Sequence, residues 1–499
     1  MKAAFKHLVI CLVAVCLLGV PAARALDGVE VSYTYTYDYW GDILHSPDAY
    51  RTEAVLTSSS LGLDLPMRNP QGLFVRGNRI YICDTGNNRI LEITRQNRSY
   101  TVSRIIDTIQ GDAEPRTFLA PQDIFVAENG DMFIADTNNH RIVKLDRNGN
   151  YLLSFTRPVD PSFDQSQDYL PIKLVADTSG RVYVQGKNIN KGLVKYEADG
   201  SFSGFIGASE VKVVWYEYIW KLLSTKEQRA QQESFVPTEY DNVAIDEKGF
   251  FYVVTSTFDT NELKSGLAKP IRRLNGVGSN ILVENGIATL PIGDLQWAGN
   301  DTNITNSGPS KLIDITPLKN EIYVALDSTH NRLFGYDQQG NLLWAFGGIG
   351  NMDGYFLRPV ALEHMDDDLL VLDAQECAVT IMTTTEYGAL IYEATDLYRK
   401  GEYAASADMW RKVMEQNSNL DIAYVGIGRA LLQQEQFEEA QSYFRIARDT
   451  KNYSEAWKFH RKEIVERNIG WIFSIVFLLL LLPPVVRRIK KIVQEVNES

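Results

Sequence analysis

Cysteine and histidine are scarce in this 499-residue chain, and their placement excludes more than their number does. Of four cysteines, Cys11 and Cys16 fall in an apolar run at the amino terminus. Cys83 and Cys377 remain for the body, too few for a disulfide framework and without the C-x-x-C or Cys/His spacing of a zinc site. Whether those two pair is open at this level. The six histidines (His7, His45, His140, His330, His364, His460) are dispersed, and no H-E-x-x-H, G-x-S-x-G or Walker loop is present. Basic residues are outnumbered, 50 against 63, which gives a formal charge of −13 and argues against a nucleic-acid binder held by phosphate neutralisation. Charged residues make up 23% and hydrophobic ones 45%, a balance that excludes wholesale disorder.

Two apolar runs mark the ends. Lys2 and Lys6 precede Leu8 to Val20, followed by Pro21 and Ala23-Arg24-Ala25. This is the charged, apolar and small-residue order of a secretory signal over residues 1–25, with Leu26 as the mature start. Its loss removes three positive charges, leaving 47 against 63, or −16. Ile469 to Val486 is an 18-residue uncharged stretch containing five consecutive leucines, Leu478 to Leu482. At ~1.5 Å per residue it covers ~27 Å, close to a bilayer's hydrocarbon thickness. Arg487, Arg488, Lys490 and Lys491 follow and favour the cytoplasmic side. A single-pass type I topology is expected, with residues 487–499 as a short cytoplasmic tail and an acidic body standing off the cell membrane.

Between the ends the sequence repeats. Segments 70–93 and 121–149 are nearly the same string, and more worn copies lie at 171–200, 240–275, 312–340 and 359–382. Asp84, Asp136, Gly186, Thr255, Asp327 and Asp373 are equivalent, at spacings of 52, 50, 69, 72 and 46. Each copy reads as four short antiparallel strands punctuated by Asn-Gly or Asp-Gly turns, as in Asn129-Gly130 and Asn148-Gly149. Six such units over residues 26–386 predict a six-bladed β-propeller, because one blade cannot bury both faces alone. Two β-rich stretches before the first copy, the alternating Val31 to Tyr39 and Tyr50 to Leu56, are expected to close the ring. Asp and Arg recur at the strand ends (Asp136 and Arg141, for example), which signals architecture rather than catalysis.

These copies resemble the NHL-repeat family, through the string ADTNNHRIVK at 135–144 and FGGIGNMDGYFLRP at 346–359, over roughly Pro70 to Met382. Copy three lacks the strand-end Asp, and copy six has Ala378 where others have Arg89, Arg141 and Arg332. The resemblance implies a propeller that binds protein or other polymers. Relatives of that family also include a zinc-dependent amidating lyase and calcium-dependent sugar lactonases; no histidine stands where axial zinc ligands would project.

Two residues past the first proline of each copy, the column reads Gly72, Asp123, Lys173, Asn242, Asp314 and Ala361. Starts of innermost strands point toward a propeller's axis, so Asp123, Lys173, Asn242 and Asp314 are candidate ligand-binding residues of the channel. Asp123, Asn242 and Asp314 offer oxygen to a calcium-like ion, which Lys173 would oppose; channel polarity with no ligand is the simpler reading.

Two further segments are helical by pattern. Residues 211–234 read as an inserted helix whose aromatic first half includes Trp215 and Tyr218, either packed on the propeller or offered to a partner or a membrane. From Ala389 the period becomes 34: Ala394, Leu397, Tyr403, Ser406, Trp410 and Val413 return as Gly428, Leu431, Phe437, Ala440, Phe444 and Ala447. Residues 387–467 therefore resemble tetratricopeptide repeats with a capping helix, serving as a rigid stalk or as a peptide-binding surface that uses Trp410 and Phe444. The expectation is a membrane-anchored extracytoplasmic binding or scaffold protein with a protein partner and no catalytic residue assigned, possessing no cofactor unless calcium binds. A calcium-dependent lactonase-like hydrolase is the alternative.

Overall fold

The computed structural model describes residues 34–38, 40, 43–208, 239–258, 268–283, 293–294 and 308–497. The expected signal segment and the inserted helix at 211–234, with Trp215 and Tyr218, lie outside the described residues. The fold is a six-bladed β-propeller followed by helices, and it is mainly β.

Blade I comprises Gly72–Arg76, Arg79–Asp84, Arg89–Gln96 and Ser99–Ile106. Blade II comprises Pro121–Val126, Met132–Asp136, Arg141–Leu145 and Tyr151–Thr156. Blade III comprises Pro171–Ala176, Val182–Gly186, Leu193–Tyr196 and Phe202–Ile206. Among the described residues blade IV has three strands, Asn242–Ile245, Phe251–Val254 and Ile271–Leu274. Blade V runs Leu312–Pro317, Tyr323–Asp327, Arg332–Tyr336 and Leu342–Gly347, and blade VI runs Pro359–Met365, Asp368–Asp373 and Ala378–Thr384. The first strand of each blade neighbours the first strand of the next, and that of blade VI returns to that of blade I. The ring is closed.

Closure comes from the amino-terminal side, as the sequence led us to expect of Tyr50 to Leu56. Tyr50–Leu56 pairs antiparallel with Ala378–Thr384 and supplies the outer strand that blade VI lacks. The alternating tyrosine run does something else. Tyr35–Tyr37 adds to the outer strand of blade V, already four-stranded, and Ile43–His45 adds beyond it. Polar chemistry holds it there: the Tyr35 and Tyr37 hydroxyls donate to the buried Asp294 carboxylate, which also pairs with Arg332.

The recurring strand-end residues explain the repeat. Asp84 accepts from the Arg68 amide at 2.7 Å and from Arg89 Nε at 2.7 Å. Asp136 does the same with the Leu119 amide at 2.7 Å and Arg141 Nε at 2.9 Å. Asp327 and Asp373 likewise accept the amides of Lys311 and Leu357. Each carboxylate thus ties its own blade to the chain arriving from the previous one. The threonine that follows reaches forward: Thr85 and Thr137 hydroxyls donate to the carbonyls of Pro121 and Pro171, each at 2.7 Å. Asn88, His140, Asn331 and Cys377 occupy one repeated left-handed turn position, with φ of 54°, 56°, 54° and 50°. That turn accounts for His140. Cys83 and Cys377 are both free thiols.

Six helices follow among the described residues: α1 Glu386–Lys400, α2 Tyr403–Gln416, α3 Asp421–Gln433, α4 Phe437–Ile446, α5 Thr450–Arg467 and α6 Ile469–Asn497. Successive helices pair, which the 34-residue period encodes. A β-carbon on Gly426 would lie 2.4 Å from the Trp410 ring, and one on Gly428 would lie 2.6 Å from the Phe444 ring. Both glycines are there so that α3 can take those rings. The Asn417 side-chain amide and the Ser46 hydroxyl each donate to Tyr387 Oη at 3.1 Å, and the Tyr50 and Tyr392 hydroxyls meet at 2.7 Å. These bonds seat the helices on the chain just before the closing strand. Ile469–Gln494 is long and apolar enough to cross a membrane, and none of its apolar core is buried against the other described residues.

Asp136→Ala removes the acceptor of a buried guanidinium, so a loss of about 3–5 kcal/mol in urea denaturation is expected. A loss below about 1 kcal/mol would contradict the joint described for the strand ends.

Candidate functional site

The six first strands converge on the axis and open into a cavity of about 1370 Å³ on the face made by the hairpins that follow them. Its wall includes Phe74, Phe125, Phe133 and Tyr252. Asp123, Lys173, Asn242 and Asp314, the blade-start column residues, come from four different blades and all line the cavity, buried. Their mutual bonds are specific. Lys173 Nζ lies 3.8 Å from Asp123 Oδ1, and the Leu174 amide donates to Asp123 Oδ2 at 2.9 Å. Asn242 donates its side-chain amide to Asp314, which also accepts the amides of Leu362 and Ile315, each at 2.7 Å. Each carboxylate therefore bonds to the first strand of the blade beyond it, Asp123 to blade III and Asp314 to blade VI.

Burial pushes the Asp123 carboxyl up to about 6, against the pull of the Lys173 ammonium and the Leu174 amide. Asp314 is raised for the same reason. Burial works against the Lys173 ammonium, but Asp123 and Asp314 outweigh it and its pKa is raised, so the lysine stays charged.

Two lining residues escaped the column reading. Glu363 and His364 sit just past Ala361 on the first strand of blade VI. Burial, then the nearby Asp314, pushes the Glu363 carboxyl up to about 8, although its side chain keeps 22% of its surface. Burial holds the His364 imidazole down at about 4, and its Nδ1 meets the Thr316 hydroxyl at 2.8 Å. A signal was present: the equivalent positions Phe74, Phe125, Val175, Ala244 and Thr316 carry no charge, so Glu363 is the exception. From the helical side Arg399 lines the cavity and donates to Asn320 Oδ1 at 2.8 Å.

Calcium is a poor fit to this donor set. Lys173 stands against Asp123, Asn242 turns its nitrogen toward Asp314, and among the described residues no group of three or more His, Cys, Asp or Glu could hold a metal ion. Trp410 and Phe444 are elsewhere: both are buried between paired helices, so their rings serve packing rather than a partner.

Fold and cavity define a class, a closed six-bladed propeller with a helical extension. No family model matches the chain, and no curated protein is significantly similar to it. Similar solved structures include a virginiamycin B lyase from Staphylococcus aureus, at 10% identity over 66% of this chain and 99% of that one, with a TM-score of 0.39. A streptogramin B lyase structure is similar at 12% identity over 68% and 100%, with a TM-score of 0.39. BamB from Moraxella catarrhalis is similar at 11% identity over 63% and 84%, with a TM-score of 0.32. The likeness is remote.

Between pH 4.5, the ordinary value for Glu363, and about 8, its folded value, the native chain binds more protons here than the unfolded one. Stability should therefore fall as pH rises through that window and level off above it. Glu363→Gln should flatten part of this slope in denaturation curves collected across pH; parallel slopes for the two proteins would contradict the assignment.

Proposed function

We propose that this is a membrane-anchored extracytoplasmic binding or scaffold protein whose propeller is the recognition head. In this reading residues 1–25 are a cleaved signal, 26–386 an NHL-type propeller, 387–467 a tetratricopeptide-like stalk, 469–486 a type I span, and 487–499 the cytoplasmic tail. The observation that carries it is a wide, polar-floored cavity in a closed ring, joined through packed helices to an apolar helix left exposed among the described residues. Water is a poor environment for such a helix, and a bilayer is the natural one.

The cavity supports binding because its floor is already ordered. Asp123, Lys173, Asn242 and Asp314 hold one another and the backbone, so a ligand meets fixed charges and pays little ordering entropy. Aromatic wall and charged floor together suit a polar group carried on an apolar body, such as a side chain or loop of a partner protein.

Protease added to intact cells, followed by detection of a tag at residue 499, tests the topology. The head should be digested and a small membrane-bound fragment should keep the tag. An intact full-length chain, or release by carbonate washing, would overturn the anchored reading. If the cavity is the recognition site, Lys173→Glu should abolish crosslinking from a photoreactive residue placed at Ser179 on its rim; unchanged adducts would move recognition elsewhere.

A further inference from the structure

The apolar stretch of α6 ends at Val486, yet the helix continues to Asn497. The continuation is amphipathic. Ile489, Ile492, Val493 and Val496 follow the i, i+3, i+4, i+7 spacing of one helical face, and each is more than half exposed, at 55, 53, 52 and 67%. Arg487, Arg488, Lys490 and Lys491 fall on the opposite arc, four bases against the single acid Glu495. A bilayer is crossed by about 20 residues, so a straight helix would carry these four aliphatic side chains out into water. Just before the change of character stand Pro483 and Pro484. Neither has an amide hydrogen, so the carbonyls of Leu479 and Leu480 lack their helical donors and the ladder is weakest there.

We propose that residues 487–497 form an interfacial helix that docks on anionic phospholipid headgroups, with the Pro483–Pro484 pair as the bend that lets it leave the axis of the span. The aliphatic face enters the boundary between headgroups and acyl chains, and the basic arc meets the negative surface. This goes beyond a cytoplasmic tail fixed by its charge: the tail becomes a second contact with the membrane, selective for lipid charge. It rests on the anchored reading above.

The test is hydrogen exchange of the full chain in nanodiscs, read by mass spectrometry over residues 487–497. Discs of phosphatidylcholine are compared with discs containing equal parts phosphatidylcholine and phosphatidylglycerol. Exchange should be about tenfold slower in the anionic discs, and raised salt should reverse the difference. The R487Q/R488Q/K490Q/K491Q chain should exchange alike in both discs. Ile492→Ser with Val493→Ser should lose protection even with all four bases present. Equal exchange of the unsubstituted chain in the two discs overturns the proposal while leaving the span intact. A chain that enters neither disc overturns the anchored reading itself.

Discussion

Everything in this molecule depends on the pairing of Tyr50–Leu56 with Ala378–Thr384, two strands more than three hundred residues apart in sequence. A blade is hydrophobic on both faces and finds cover only between two neighbours, so an open ring would expose two unmatched faces. The amino-terminal strand removes that end. It also fixes the chain immediately before it, and that chain is where the helices sit: the Thr385 amide donates to the Ala49 carbonyl at 3.0 Å, and Tyr387 gathers Ser46 and Asn417. One long-range pairing thus closes the head and mounts it on the helices.

The channel floor follows from the same geometry. Six first strands brought together at an axis crowd their opening side chains, and isolated charges there would be costly. The chain meets this by setting Lys173 beside Asp123 and by giving Asp314 an amide from Asn242 and two from the backbone. The result is a floor that is polar and fixed. Glu363 is less well served: burial first, and then the nearby Asp314, hold its proton tightly against the weak pull of the His364 amide at 3.3 Å.

Much of the ring was legible in the sequence because its physics repeats. A strand-end Asp that accepts the incoming chain, an Arg five residues on and a left-handed turn residue are local requirements; all three recur in blades I, II and V, and blade VI keeps the Asp and the turn. The closing strand was legible because blade VI is short by one strand. The channel residues were legible as positions, since a column across repeats is a direction in space. Less could be read where the reason is long-range. The tyrosines at 35 and 37 look like a closing strand, but Asp294, more than 250 residues away, draws them onto blade V. Glu363 was hidden two residues beyond Ala361, the bland member of the channel column. Trp410 and Phe444 show the limit of residue type: large rings suit a binding face and a helix–helix seam equally, and only Gly426 and Gly428 opposite them decide for the seam.

The most direct test is a covalent one. Val55 and Thr380 are register partners in the closing pair, where β-strand neighbours lie about 5 Å apart. In the V55C/T380C chain, mild oxidation should form the crosslink almost completely in the native state and raise the melting temperature. Two thiols that stay reduced and reactive under the same oxidation would show that the ring is not closed by this strand, and the account built on it would fail.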